Sequence, residues 1–317
     1  MQAGARGSAG VVGAGVIGLT TAILAQQAGF HVTVYAERPT GETTSAKAAA
    51  SFKPAEIEYN ELANRILFAS WDEFASTARD FREAGVRKRL HWEASSSPIP
   101  APWYLDVMED PAPAERPEVP GGYPFAWSYR TFFIDTPIFL PWLVDRLHAA
   151  DGELTQTRVF KSLDELAALQ HDVVFNCTGL GARELCVDDA VAPVRGQIVV
   201  VGSQPEMDWS IKHDGFYVYP RRNDTVLGGT SEIGIWEETA ENGAVETILR
   251  ANQRILPRLK ASDVRRVYAG LRPFRAGGIR IELEQRNGRP IVHNYGHGGA
   301  GVTLCWGSAR EAVGLVI

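Results

Sequence analysis

Three glycines near the N-terminus have the spacing of a loop that binds phosphate groups. They form the pattern G-x-G-x-x-G at positions 13, 15 and 18, between a short apolar run and a stretch with helical periodicity. In such a loop the first glycine makes a tight turn, the second lets the backbone approach a pyrophosphate, and the third lets the helix pack closely on the strand. The free N–H groups at the start of the helix then bind the phosphates. The predicted loop residues are Gly13, Ala14, Gly15, Val16, Ile17 and Gly18.

An acidic residue stands at the position where such a site binds ribose. Residues 31–35 predict a second strand, and Glu37 follows it. A carboxylate there accepts hydrogen bonds from the ribose hydroxyls and repels a 2′-phosphate. The motif therefore predicts a dinucleotide with a free ribose, and it leaves both FAD and NAD open.

The surrounding elements predict how this loop is held. Residues 16–28 have helical periodicity up to Gly29, and residues 172–179 form an apolar run typical of a buried parallel strand. The many prolines in residues 98–120 predict a surface excursion, and residues 247–259 predict a helix. An antiparallel sheet is predicted from the strand-like segments 197–202, 216–220 and 225–230.

Composition narrows the class of protein. A chain of 317 residues with 45% hydrophobic residues is long enough for about two domains. The net charge of −6 and the dispersed basic residues argue against nucleic acid as a partner. The three cysteines lack metal-site spacing, so no metal is predicted. Because residues 1–9 lack a secretory apolar run and glycines and threonines interrupt residues 11–28, we expect a cytoplasmic protein without a membrane span.

A longer set of motifs resembles the D-amino-acid oxidase family, which includes the D-aspartate oxidases. The most specific match is residues 293–304, HNYGHGGAGVTL, in which Ala300 replaces a residue that is commonly larger. The resemblance covers nearly the whole chain. Supporting matches lie at residues 12–19, 43–45, 176–179, 195–197, 227–229 and 271–275.

The resemblance implies an α/β fold in which a Rossmann-type FAD-binding domain is interleaved with an α+β substrate domain built on an antiparallel sheet. It places the FAD-binding domain at residues 1–54, 136–194 and 275–317, and the substrate domain at residues 55–135 and 195–274. It also implies a flavoprotein oxidase with non-covalent FAD. Such an enzyme moves a hydride from the α-carbon of a D-amino acid to flavin N5, and forms a 2-oxo acid, ammonia and hydrogen peroxide. A homodimer is compatible with the sequence, which does not decide the oligomeric state.

The resemblance also implies the roles of site residues. Arg275 matches the arginine that binds the substrate carboxylate, Tyr217 matches a tyrosine that meets the same carboxylate, and the carbonyl of Gly299 would receive the substrate amine. Taken without the resemblance, the favoured interpretation of Arg275 is a surface ion pair, because Arg272 and Arg280 are close by in the sequence. Beyond the phosphate loop and Glu37, the implied cofactor contacts are Arg38, Thr43, Thr44, Ala49, Ala50, Ser51, Val159, Gly298, Gly299, Gly301, Val302 and Thr303.

Two departures from the family pattern and one lysine predict further properties of the site. Ala50 replaces a common glycine, and it is strained if the backbone there has positive φ. The segment between Gln197 and Tyr217 is shorter than in the animal enzymes, which predicts that no long lid covers the site. Lys53 lies near the implied pocket, where a cation favours an acidic substrate, but we expect it to be solvated. Neutral D-amino acids are therefore the first expected substrates and D-aspartate the second, ahead of a glycine or sarcosine oxidase or an NAD-dependent dehydrogenase.

Overall fold

The computed structural model of the chain describes residues 7–57, 59–157 and 159–317. Residues 1–6, at the start of the predicted FAD-binding domain, lie outside this range. The helices are α1 (Val16–Gln27), α2 (Thr44–Lys47), α3 (Glu61–Asp80), α4 (Thr136–Ala149), α5 (Leu163–Ala167), α6 (Ala182–Leu185), α7 (Asn242–Asn252) and α8 (Gly301–Gly314). The strands are β1 (Gly7–Val12), β2 (Phe30–Ala36), β3 (Val86–Ser95), β4 (Glu109–Ala114), β5 (Phe125–Ile134), β6 (Glu153–Gln156), β7 (Val173–Asn176), β8 (Val191–Gly202), β9 (Trp209–His213), β10 (Phe216–Pro220), β11 (Asp224–Gly228), β12 (Glu232–Ile233), β13 (Val264–Arg275), β14 (Arg280–Arg286) and β15 (Arg289–Tyr295).

The first sheet has the order β14-β15-β7-β1-β2-β6. All of its neighbouring strands are parallel except β14 and β15, which form a hairpin. β7 is buried along its whole length, as expected for a parallel strand covered on both faces. The carboxyl ends of β1, β2 and β7 therefore meet at one edge of the sheet, where such folds bind their ligands.

The second sheet has the order β12-β8-β11-β10-β9-β3-β5-β4, with β13 also paired to β8. Its pairs are antiparallel except β3 with β9. Along the chain, β1–β2, β6–β7 and β14–β15 belong to the first sheet, and β3–β5 and β8–β13 belong to the second. The two parts are therefore interleaved. This is the predicted fold class. The domain boundaries stay a prediction, and β8 begins at Val191, four residues before the predicted boundary at residue 195.

Three helices hold the two glycine-rich segments together. α1 packs on α8, where the Thr20 hydroxyl lies 3.1 Å from the Cys305 carbonyl oxygen. α3 packs on the other side of α8, and the Gly307 N–H donates to the Ser70 hydroxyl at 2.8 Å. The α3 helix is amphipathic, and its buried side carries Ile66, Leu67 and Phe74. No helix among the described residues is both long and apolar enough to cross a membrane.

Two predicted elements differ from the observed ones. The helix predicted over residues 247–259 is α7, which begins five residues earlier and ends at Asn252. The buried side chain of Asn252 donates to the Ile248 carbonyl and contacts His213, and Pro257 prevents any continuation toward residue 259. Within the proline-rich segment the structure has β4, which pairs only with β5 at the edge of the sheet, where proline is tolerated.

Candidate functional site

The phosphate loop of residues 13–18 has a backbone that excludes side chains at two positions. Gly13 has φ of 115°, and a Cβ built there would overlap the Cys177 carbonyl oxygen. A Cβ at Gly18 would overlap the carbonyl oxygen of Gly13. The turn is therefore compact because these two positions lack side chains, and it places the start of α1 at the carboxyl edge of the first sheet.

The start of α1 is bounded by Gly15 and by the segment of residues 43–45. Gly15, which precedes the helix in an extended conformation, provides no side-chain cap. The Val16 N–H donates to the Ser45 hydroxyl at 3.0 Å, so the segment of residues 43–45 covers one side of this helix start. Thr43 donates to the Thr40 carbonyl, and Thr44 begins α2. Ser45 belongs to a matched motif but was missed as a site residue, because only the fold brings it to α1.

Three further predicted cofactor residues, Glu37, Arg38 and Val159, lie at the same edge. Glu37 directly follows β2 and its side chain is half exposed, with a carboxylate oxygen 3.8 Å from the guanidinium of Arg38. Arg38 also lies 3.4 Å from Glu238. Val159 is exposed and follows β6, which pairs with β2. The fold thus brings Glu37, Arg38 and Val159 to one end of two paired strands.

The Thr303 hydroxyl joins α8 to the segment of residues 49–53. It accepts from the Lys53 N–H at 3.0 Å and lies 2.9 Å from the Lys53 carbonyl and 3.3 Å from the Ser51 carbonyl. Thr303 is in the first turn of α8, whose preceding residue, Ala300, provides no side-chain cap. The predicted cofactor residues Ala49, Ala50, Ser51, Gly298, Gly299, Gly301, Val302 and Thr303 therefore lie on two segments that touch.

Ala50 has φ of 38°, in the left-handed region that favours glycine. An L-residue there costs roughly 1–2 kcal/mol. The Ala50→Gly variant removes this strain. It also makes the unfolded chain more flexible, which lowers the free energy of unfolding by about 0.4–1 kcal/mol. We expect Ala50→Gly to raise the free energy of unfolding by about 0.5 kcal/mol, measured by urea titration. A lower free energy of unfolding in the variant would contradict this reading of the backbone.

Two of the three predicted substrate residues approach each other around Arg272. Arg272 donates to the Thr230 carbonyl at 3.3 Å, and the preceding glycines, Gly228 and Gly229, lie against the ring of Tyr217. A Cβ built at Gly299 would be 3.4 Å from Cδ of Arg272. The structure thus brings Tyr217, Gly299 and Arg272 together. Burial raises the pKa of Tyr217, which keeps its hydroxyl protonated as a hydrogen-bond donor.

Arg275, the third predicted residue, lies elsewhere. It follows Arg272 by three residues on β13, so the pleat turns the two side chains to opposite faces. Its guanidinium donates to Asp188 at 2.8 Å and to the Gly278 carbonyl at 3.1 Å. Asp188 also accepts from Tyr295 at 2.8 Å. The structure therefore contradicts the placement of Arg275 beside Tyr217, and the arginine in that position is Arg272.

Lys53 is buried rather than solvated. Its side chain is 8% exposed and forms an ion pair with Glu93 of β3. Glu93 also accepts from the hydroxyls of Tyr104 and Tyr129. Two tyrosine hydroxyls and an ammonium together satisfy the carboxylate, which makes its burial tolerable.

The charges of this pair shift both pKa values. Burial lowers the pKa of Lys53 to about 8, against the opposing effect of Glu93. Burial alone would raise the pKa of Glu93, but the charge of Lys53 and the hydrogen bond from Tyr104 help to outweigh it, and that pKa is about 2. Since the ordinary pKa of a glutamate is 4.5, the stabilisation from ionised Glu93 is complete above pH 4.5 and is lost as the pH falls toward 2.

Replacing Glu93 with glutamine should destabilise the protein strongly. The variant leaves the ammonium of Lys53 buried without its counter-charge, which typically costs about 3–5 kcal/mol. We expect Glu93→Gln to lower the free energy of unfolding by about 3 kcal/mol at pH 7. The double variant Lys53→Met with Glu93→Gln should recover much of this loss. Urea unfolding of the single and double variants measures this coupling. Equal destabilisation in the single and the double variant would contradict it.

These segments fit FAD. Two helix starts without a cap from the preceding residue, those of α1 and α8, lie in one packed unit and have no acidic residue in their first turns. Such starts favour negative charge, which the central pyrophosphate of FAD carries and the reduced flavin acquires. Glu37, which directly follows β2, supplies a carboxylate that accepts hydrogen bonds from ribose hydroxyls.

Comparison with known proteins gives a consistent result. The family described as FAD dependent oxidoreductase matches residues 9–315. A D-amino-acid oxidase from Rubrobacter xylanophilus is 39% identical over 96% of this chain and 94% of that protein. A D-aspartate oxidase from Homo sapiens is 34% identical over 96% of this chain and 93% of that protein.

Solved structures agree on the fold. The glycine oxidase from Bacillus cereus superposes with a TM-score of 0.82 at 19% identity, covering 98% of this chain and 94% of that one. The L-proline dehydrogenase from P. horikoshii gives a TM-score of 0.80 at 14% identity, covering 99% and 94%. At such low identity these likenesses show the shared fold and no common substrate.

Proposed function

This chain belongs to the family of FAD dependent oxidoreductases, and from its resemblance to the D-amino-acid oxidases we propose that it oxidises D-amino acids to 2-oxo acids, with release of ammonia and hydrogen peroxide. The predicted resemblance is confirmed, and FAD as the cofactor of the family decides against the NAD alternative. Non-covalent binding of FAD and a cytoplasmic location belong to the same proposal.

The observation that carries this proposal is the position of Arg272 beside Tyr217 and Gly299. A planar guanidinium binds a carboxylate through two parallel hydrogen bonds. Arg272 lies between the strand that carries Tyr217 and the glycine segment before α8. We therefore assign to Arg272 the role that the resemblance implied for Arg275, and keep Tyr217 and Gly299 as proposed.

The residues of this site perform binding and orientation. Arg272 and the protonated hydroxyl of Tyr217 would hold the substrate carboxylate, while the Gly299 carbonyl would accept a hydrogen bond from the amine. Two fixed points on either side of the α-carbon orient its C–H bond, and such positioning supplies a large part of the rate acceleration. FAD, when bound, accepts the hydride at N5 and passes the electrons to oxygen.

The direct test is the rate of peroxide formation with the two enantiomers of alanine. We expect measurable kcat/KM for D-alanine and none for L-alanine, in an enzyme supplied with FAD. Peroxide formation from L-alanine at a comparable kcat/KM would contradict the proposal.

Neutral D-amino acids remain the first proposed substrates, because Glu93 compensates the charge of the buried Lys53. D-Aspartate is the second candidate, and Lys212 favours it. In the register of the second sheet Lys212 lies opposite Tyr217 on one side and opposite Glu93 on the other, so these side chains share a face. Lys212 also contributes to the lowered pKa of Lys53, which places two cations beside one carboxylate.

Substrate choice is tested by comparing kcat/KM for D-alanine and D-aspartate in the wild type and in Lys212→Met. If Lys212 binds a side-chain carboxylate, the variant loses about tenfold on D-aspartate and changes little on D-alanine. If the wild type prefers D-aspartate to D-alanine, the proposed order is wrong.

A further inference from the structure

Glu56 places a carboxylate beside the arginine that is proposed to bind substrate. Its Oε1 is 3.3 Å from Nη1 of Arg272 and accepts a hydrogen bond from the Ser231 hydroxyl at 3.1 Å. The side chain of Glu56 is 29% exposed. Glu56 is outside every matched motif, and the fold alone reveals this contact.

The backbone of Glu56 holds it against the glycines that precede α8. Glu56 has φ of 58°, which turns its chain sharply after residues 53–55. A Cβ built at Gly298 would be 3.1 Å from the Glu56 carbonyl oxygen, and a Cβ built at Gly299 would be 3.0 Å from Oε2 of Glu56. The carboxylate therefore lies between Arg272 and Gly299. These are the two groups proposed to hold the carboxylate and the amine of the substrate.

We propose that Glu56 is a specificity residue that selects substrates carrying an α-ammonium group over plain carboxylates. In the free site it balances the charge of Arg272. A substrate carboxylate takes its place on Arg272, and Glu56, still held by Ser231, then lies next to the α-ammonium group. This inference rests on the proposed function and adds a residue to it.

Glu56 is expected to have opposite effects on acids with and without an amino group, because the two kinds of ligand differ in charge. An acid without an amino group brings only a negative charge, which Glu56 repels and with which it competes for Arg272. An amino acid brings a positive group as well, which Glu56 attracts at short range. At about 4 Å an interaction between unit charges near a protein surface is large enough to change affinity by tenfold or more.

The test uses propionate, which is alanine without its amino group, and the Glu56→Gln variant of the FAD-loaded enzyme. Titration calorimetry gives the Kd of propionate, and peroxide formation gives kcat/KM for D-alanine. We expect the variant to bind propionate about tenfold more tightly and to lose about tenfold in kcat/KM for D-alanine. The opposite signs of the two changes are the signature of charge selection.

Other outcomes overturn the inference. If Glu56 only competes for Arg272, the variant has a higher kcat/KM for D-alanine and also binds propionate more tightly. If Glu56 only supports the local backbone, the variant has a lower kcat/KM for D-alanine and also binds propionate more weakly. Glu56→Asp keeps the charge and should retain the wild-type preference for D-alanine over propionate. Glu83→Gln, a change at an exposed glutamate of the segment after α3, should alter neither kcat/KM for D-alanine nor the Kd of propionate. A wild type that oxidises no D-amino acid would instead refute the proposed function, while the propionate titration still reports on Glu56.

Discussion

Replacing Arg272 with methionine is expected to lower kcat/KM for D-alanine by about 10²–10³-fold. In the proposed site the change removes two charge-assisted hydrogen bonds to the substrate carboxylate, and truncation of one partner of such a pair typically costs about 3–4 kcal/mol. Because the proposed contact holds the substrate in both the ground state and the transition state, much of the loss should appear in KM. Steady-state peroxide formation over a range of D-alanine concentrations separates the two parameters.

Arg275→Met is the matched control. It removes the same charge three residues along the same strand, but there the partner is Asp188 rather than substrate. Since Asp188 is buried and loses its counter-charge, we expect a lower free energy of unfolding, by about 2–3 kcal/mol, with kcat/KM for D-alanine changed less than threefold. A large loss of kcat/KM in Arg275→Met together with a small one in Arg272→Met would restore the assignment made from the sequence.

Replacing Gly18 with alanine is expected to weaken FAD binding by at least about a hundredfold. The new Cβ would overlap the carbonyl oxygen of Gly13, and neither backbone can move without opening the phosphate loop. Misplacing the donors at the start of α1 removes several hydrogen bonds to phosphate, each of which contributes about 1.5–3 kcal/mol when one partner is charged. The flavin absorbance retained per protein after gel filtration measures the loss.

Gly41→Ala provides the control for this variant. Gly41 lies in the segment between β2 and α2, and a Cβ built there meets no atom within 4 Å. We expect this variant to keep the wild-type flavin content. Full retention of FAD by Gly18→Ala would mean that residues 13–18 do not form the phosphate loop.

The phosphate loop could be predicted from the sequence because its signal is local. Three glycines at fixed spacing, a strand before them and an acid after the next strand are all consequences of short-range backbone geometry. The observed positive φ of Gly13 and the close approach at Gly18 have the physical causes that the motif implies. Two elements of this part of the fold, α1 and β2, differ from their predicted bounds by one residue at one end or at both.

The choice between Arg272 and Arg275 could not be made locally. Both lie in one matched motif, and the pleat of β13 separates them only when it is known which face of the strand meets Tyr217. The partner that engages Arg275 is Asp188, 87 residues away in the chain. A match of motifs aligns positions, but the direction of each side chain depends on the sheet that the strand joins.

The burial of Lys53 and its ion pair could not be predicted from the local sequence either. A lone lysine is most often solvated, and its counter-charge Glu93 is 40 residues away, on a strand whose pairing the sequence does not reveal. Ala50 is different, because its strain was predicted conditionally from one substitution in a motif. Its observed φ of 38° meets that condition.

The central claim is that this flavoprotein takes a hydride from the α-carbon of a D-amino acid held by Arg272. Anaerobic mixing of the FAD-loaded enzyme with D-alanine or L-alanine, followed by the flavin absorption spectrum, tests it most directly. We predict that D-alanine bleaches the flavin, that L-alanine leaves the spectrum unchanged, and that Arg272→Met bleaches far more slowly at the same D-alanine concentration. Bleaching by L-alanine, or equal bleaching rates in the wild type and Arg272→Met, would contradict the account.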